Sequence, residues 1–384
     1  MLTLRTTLSC AVWTHNYLDG YSVATPQQVF NYHPLLMTIG MLFLNANGIL
    51  IYRISRWLRF QRQKWIHFTV QTTALVVTLM GSYAVFHYHN ATDIPNLYSL
   101  HSWLGLTAVS GFALSLLSAF FSFLYPGIDP VYRRLILPFH IFGGTANIVL
   151  TGAVAITGLT EKALFSLKSK GAEYRDLPAP AVIINIFGLS IVVFTVLVVW
   201  LVTKPEFRRR RWLRFQRQKW IHFTVQTTAL VVTLMGSYAV FHYHNATDIP
   251  NLYSLHSWLG LTAVSGFALS LLSAFFSFLY PGIDPVYRRL ILPFHIFGGT
   301  ANIVLTGAVA ITGLTEKALF SLKSKGAEYR DLPAPAVIIN IFGLSIVVFT
   351  VLVVWLVTKP EFRRRYIPAV NAPQYKLRRE QTTE

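Results

Sequence analysis

The sequence predicts an all-α, polytopic transmembrane helical bundle of about nine spans. Three observations carry that prediction. Of the 384 residues, 53% are hydrophobic and only 12% are charged, about half the charged share of an ordinary soluble domain. Apolar runs recur at the length a helix needs to cross a bilayer. Residues 56–210 also recur, letter for letter, as 211–365.

The chain divides into a first unit, 1–210, an identical partial repeat, 211–365, and a polar tail, 366–384, expected on the cytoplasmic side. Near the N-terminus "LSCAVWT" is apolar but too short to span. It has no convincing signal-peptide cleavage site and reads as the end of a helix. Five spans follow, at 35–52, 68–86, 102–125, 135–159 and 181–203. The repeat copies the last four, at 223–241, 257–280, 290–314 and 336–358. Lipid leaves backbone polar groups no partner outside the segment, so unbroken apolar runs of this kind are helices. The copied unit holds an even number of spans, so both copies keep one orientation. The repeat is parallel, unlike the inverted repeats of many transporters.

Charge placement sets the expected orientation. The loop between the first two spans carries Arg53, Arg56, Arg59, Arg62 and Lys64 with no acid. Arg133 and Arg134 lie between the third and fourth spans, and Lys204 and Arg208 to Arg211 follow the fifth. The loop on the other face, between the second and third spans, has neither Lys nor Arg. This is positive-inside asymmetry. It explains the net charge of +18 without nucleic acid as a partner. The loop after the fourth span is mixed, with Lys162, Lys168, Lys170 and Arg175 against Glu161, Glu173 and Asp176. The single cysteine, Cys10, excludes an intramolecular disulfide.

Histidines inside spans point to function. His33 opens the first span, His67 the second, His101 the third and His140 stands near the start of the fourth. Alternating helix direction sorts them into two depths. His33 pairs with His101 near the outer face, and His67 with His140 near the inner face. At helical rise the layers lie roughly 15–25 Å apart. Two imidazoles facing one another across a bundle suit the two axial positions of a haem iron, a centre that passes electrons and has no open site. Gly105, Gly143 and Gly144, one turn beyond their histidines, let a flat macrocycle approach. Pro34 and Pro138 are expected in first helical turns.

These residues resemble the cytochrome b561 family, transmembrane ascorbate-dependent reductases. The resemblance rests on "NYHPLLM", "YSLHSWLG", "GLTEKALFSL" and "VIINIFGL" and covers about residues 20–210, then 211–365 again. The family's first helix is mostly absent here. The resemblance implies two haem b groups in the first unit. It also implies one-electron transfer from cytoplasmic ascorbate to monodehydroascorbate or a ferric chelate on the other face. Lys64 and Arg133 match family positions for cytoplasmic ascorbate. His89, Tyr98 and Asn185 match the outer substrate region, where His89 aligns with a histidine that contacts the chelated metal. His87 has no clear counterpart. Family members are often homodimers. Vesicle, lysosomal and plasma membranes all suit this topology. Asn90-Ala91-Thr92 forms a glycosylation sequon on the matching face.

The repeat supplies His222, His256 and His295. His222 and His295 can hold a third haem. His256 needs a partner from a first span, which is not repeated. Three arrangements stay open: two haems in the first unit and one in the second, the first span packed on the second unit instead, or a second unit that does not assemble. Two other function classes compete. A His-lined divalent-metal transporter would want intramembrane carboxylates, and the predicted spans contain none. A non-catalytic membrane protein leaves the depth-sorted histidines unexplained.

Overall fold

The computed structural model describes residues 2–124, 128–169, 173–203, 215–279, 283–324, 326 and 328–358. The junction at 210/211, the cations Lys170, Lys204 and Arg208 to Arg211, and the tail 366–384 lie outside the described residues. Ten helices are described: α1 (Leu2–Tyr17), α2 (Pro26–Ile54), α3 (Phe60–Ala91), α4 (Leu100–Leu124), α5 (Pro130–Ser169), α6 (Ala179–Thr203), α7 (Phe215–Ala246), α8 (Leu255–Leu279), α9 (Pro285–Ser324) and α10 (Ala334–Thr358). Nine of them, all but α1, are long and apolar enough to cross a membrane. The chain is an integral, multi-pass membrane protein.

The helices start earlier than the apolar runs, and α2, α3 and α5 also end later. Thr25 caps α2, its hydroxyl accepting from the Gln28 N–H, with Pro26 in the first turn where a missing N–H costs little. Pro34 and Pro138 therefore stand inside α2 and α5, not in their first turns as expected. Inside a helix a proline removes one ladder hydrogen bond. In α2 the ladder widens to a π-helical stretch at Thr38–Leu44 downstream of Pro34. Gly40 in that stretch lies against Ala74 and Thr78 of α3, where a Cβ would stand 2.5 Å from the Thr78 hydroxyl. Close approach through small residues is how helices bind one another in lipid, where no hydrophobic drive separates helix from solvent.

A second correction concerns acids. α5 runs past residue 159 to Ser169 and carries Glu161 into the bundle, buried. The Ser99 hydroxyl donates to its Oε2 at 3.2 Å. The spans as folded therefore hold a carboxylate.

α2 packs on the first unit. Asn45 Nδ2 donates to Asn147 Oδ1 of α5 at 3.2 Å, and Asn147 Nδ2 to the Ala108 carbonyl of α4 at 2.8 Å. Arg53 reaches the Val202 carbonyl of α6 at 2.8 Å. α1 packs beside α2 and α6, burying Cys10 and Trp13.

The two units share one core. Leu100, Ile148, Ile184 and Ile191 of the first belong to the same buried cluster as Leu255, Leu259, Ile311 and Val354 of the second. α6 packs on α8 and α9, and α10 packs reciprocally on α4 and α5. Gly188 faces Leu255 and Gly343 faces Leu100, each with a leucine methyl where a Cβ would go. Trp200 stacks edge-on against Phe297, and Trp355 against Phe142. Each contact has its twin with the units exchanged, the signature of a two-fold interface.

Candidate haem sites and their surroundings

α4 begins with a capping box. The Ser99 hydroxyl accepts from the Ser102 N–H while the Ser102 hydroxyl side reaches back to the Ser99 N–H. That cap, at Ser99 two residues before His101, fixes the start of α4. The His101 ring then packs over Gly158 of α5, where a Cβ would stand 2.7 Å from the ring carbon Cε1. Its Nδ1 donates to the Val154 carbonyl at 2.9 Å. His33 is tied in the same way, Nδ1 to the Gly81 carbonyl at 2.9 Å. His67 donates from Nδ1 to the Gly48 carbonyl at 2.7 Å. A carbonyl can only accept, so these bonds fix the tautomer and leave each Nε2 free as a ligand.

The structure brings the expected pairs together. The rings of His33 and His101 lie 6.1 Å apart, centre to centre, and those of His67 and His140 6.2 Å apart. An imidazole nitrogen sits about 1.1 Å from its ring centre and about 2 Å from a metal it ligates. Two imidazoles sharing one metal atom thus hold their centres roughly 6 Å apart. The separations fit an iron between each pair. Gly143 meets nothing within 4 Å of where a Cβ would be, and Gly105 and Gly144 meet only side-chain methyls at 3.7 and 4.0 Å. Little of the polypeptide packs against these glycines, and the donor set and spacing of both pairs fit haem. The crossed ties, His33 to Gly81 and His67 to Gly48, set the layers one α3 interval apart. From His67 to Gly81 that is about 20 Å at helical rise.

The second unit repeats part of this. His222 and His295 stand 6.4 Å apart. His256 keeps its tie, Nδ1 to the Val309 carbonyl at 2.9 Å, and its seat over Gly313. α2 has no copy, so among the described residues nothing covers the face of α7 that corresponds to α2's seat on α3. Ala74 and Thr78 are buried, whereas Ala229 and Thr233 are exposed.

At the basic end of the first unit, Lys64 and Arg133 are half-buried and close enough to repel one another. Arg133 Nε is held by the Ile128 carbonyl. Lys219 and Arg288 form the same pair in the second unit. At the other end His89 stacks on Tyr98, ring centres 6.4 Å apart. Burial first, and Glu161 second, push the Tyr98 and Tyr329 hydroxyls above the ordinary phenol range, so both stay protonated. Asn185 does not join this surface. It is fully buried, accepting from the Tyr174 hydroxyl and donating to the Tyr253 carbonyl of the other unit at 3.2 Å. Two residues escaped the sequence reading: Gly158, which seats His101, and Gly48, which ties His67. Their signal was a lone glycine inside a helical run, a costly choice without a packing reason.

Comparison with known proteins gives a consistent family. The model of eukaryotic cytochrome b561 matches residues 32–166 and again 182–321, more than half of the chain. The second match includes α6, which carries no histidine. The plasma membrane ascorbate-dependent reductase of Xenopus laevis is 39% identical over 202 residues, 52% of this chain and 71% of that protein. The lysosomal membrane ascorbate-dependent ferrireductase of Homo sapiens is 36% identical over 199 residues, 51% of this chain and 82% of that protein. A probable ascorbate-specific transmembrane electron transporter of Oryza sativa subsp. japonica is 37% identical over 196 residues, 50% and 82% of the two chains.

Proposed function

The chain belongs to the eukaryotic cytochrome b561 family, and from that premise we propose that it carries electrons across a membrane. The donor is cytoplasmic ascorbate and the acceptor, on the opposite face, is monodehydroascorbate or a ferric chelate. The observation that carries this reading is the pair of histidine pairs in the first unit, 6.1 and 6.2 Å across, at opposite ends of one bundle. His33 with His101, and His67 with His140, hold two haem b groups. His222 and His295 hold a third in the repeat. Haem b, when bound between two imidazoles, would supply a reversible one-electron iron couple.

The protein's own residues do the rest. Lys64 and Arg133 gather the ascorbate anion at the cytoplasmic end, close to His67 and His140, because two half-buried cations attract an anion more strongly than solvated ones. His89 and Tyr98 border the acceptor at the other end, beside His101. Asn185 acts through Tyr174 and Tyr253 at the corresponding end of the second unit, as a positioning residue, and its copy Asn340 holds the Tyr98 carbonyl of the first. The backbone carbonyls of Gly81, Gly48 and Val154 hold His33, His67 and His101 against rotation, which keeps the ligand nitrogens in place through each redox change. One polypeptide supplies both halves of the two-fold contact between its units.

The test is the haem-to-polypeptide ratio and visible spectrum of purified full-length chain of verified mass. A Soret band that sharpens on ascorbate, with low-spin haem, is expected. His67→Ala and His140→Ala should each remove the same haem. A spectrum unchanged by both substitutions would overturn the assignment, and a chain without haem would overturn the function.

A further inference from the structure

The two units have one sequence, so any difference between them arises from what packs against them. α2 is that difference. In the first unit a Cβ on Gly81 would meet the Leu36 side chain at 3.1 Å and the His33 carbonyl at 3.5 Å. At Gly236, the copy of Gly81, nothing lies within 4 Å. What remains in the second unit is a largely apolar cavity of about 2010 Å³, lined by His222, His295 and His256.

His256 is posed as a ligand in this cavity. Its ring is held as the His101 ring is held, by a carbonyl one helix away at 2.9 Å and a glycine beneath. Its free nitrogen has no imidazole opposite. All twelve histidines lie among the described residues. His33 is committed to His101 at 6.1 Å. His244 stacks on Tyr253 at 6.5 Å, and its Nδ1 is held by Asn251 Oδ1 at 3.2 Å.

We propose that His256 holds a further haem by one imidazole only, and that the open axial position of that haem takes a small diatomic ligand. The inference rests on the haem reading of the family sites. An apolar cavity with one tethered imidazole is the arrangement that leaves haem iron five-coordinate and able to bind such ligands, whereas a second imidazole closes it. The chain would then carry two kinds of centre from one sequence: closed ones that pass electrons and one open one.

Carbon monoxide is the probe. Purified full-length chain, reduced with dithionite, is titrated with it and read by its difference spectrum, beside a total haem count. The three imidazole pairs should stay unreactive and one further haem per chain should react. His256→Ala should abolish the reactive haem while the low-spin signal persists, and added imidazole should restore haem binding in that variant. His33→Ala, which strips His101 of its partner, should double the reactive fraction. Low-spin haem with no carbon monoxide adduct in the wild type would overturn the proposal while leaving the family reading intact. So would an adduct that survives His256→Ala. Absence of low-spin haem would instead sink the underlying reading.

Discussion

The backbone N–H of Leu100 donates to the hydroxyl of Tyr329, 2.9 Å away and in the other unit. Its twin joins Leu255 to Tyr174, also at 2.9 Å. Each tyrosine hydroxyl in turn donates to an asparagine of its own unit, Asn340 or Asn185. Each asparagine amide donates across the interface to a carbonyl, Tyr98 or Tyr253, at 3.2 Å. A helix leaves its first N–H groups without internal partners. Here the opposite unit satisfies one of them, immediately before His101 and His256. The two-fold contact thus completes the caps of the helices that carry these histidines.

Tyr329→Phe should therefore act at a distance in sequence. It leaves the Leu100 N–H and the Asn340 carboxamide short of a partner in a buried place, at a cost of about 1–3 kcal/mol for each unsatisfied group. The unfolding midpoint in detergent should fall, and haem held by His101 should be lost more readily than haem held by His67. Tyr174→Phe should destabilise equally but spare the first unit's spectrum. Equal effects of both on the His101 haem would refute this coupling.

Gly158→Ala tests the seat of His101. The new methyl would lie 2.7 Å from the ring, well inside contact distance. Helix propensity favours alanine by about 1 kcal/mol, so any loss reports the clash and not the backbone. The variant should lose or distort the His33–His101 haem, read as a change in the low-spin electron paramagnetic resonance signal, with the His67–His140 signal retained. Gly143→Ala, which meets nothing within 4 Å in the polypeptide, should matter only if haem fills that space. Its effect should appear in haem affinity and not in the stability of haem-free chain.

The nine spans and the histidine pairs were legible because lipid imposes long apolar runs and because depth follows from helix direction. Helix ends were not. Hydropathy breaks at the first charge, so α5 was expected to stop near residue 159, while Ser99 admits Glu161 to the interior by hydrogen bonding to it. The prolines misled for a related reason: α2 begins at a Thr25 cap that polar composition hides. Asn185 matched an outer-site position by resemblance, yet its carboxamide is consumed between the units. Nothing in two identical copies says which packs on which, or that Tyr329 reaches Leu100. That information lies in surface complementarity across 229 residues.

Ser99→Ala should cost more than an ordinary cap. The hydroxyl accepts from the Ser102 N–H and also donates to the buried Glu161. Cap loss alone costs about 0.5–2 kcal/mol, and loss of the Ser99 donor to a buried acid adds a further penalty of about 1–3 kcal/mol. Ser99→Ala combined with Glu161→Gln should recover part of the loss in a double-mutant cycle. Strict additivity of the two would show that the Ser99–Glu161 bond contributes nothing.

The last prediction concerns the basic end. Lys64 and Arg133 lie near enough to feel one another's charge, and both are half-buried. Two like charges held together cost stability unless an anion visits them. Ascorbate is an anion at neutral pH, so replacing either with glutamine should raise its KM about fivefold, taking roughly 1 kcal/mol for one partly exposed charge contact. kcat should change less, since the cations gather the donor and do not hold the histidines. The difference between wild type and variant should shrink in 1 M salt, where charges are screened beyond about 3 Å. Lys219 and Arg288 repeat the pair in the second unit, beside His222 and His295. If that unit also accepts electrons, replacing its pair should slow ascorbate reduction of the third haem alone, seen as one kinetic phase among several in a stopped-flow trace. A KM indifferent to Lys64 and Arg133 would leave these cations as topology signals only.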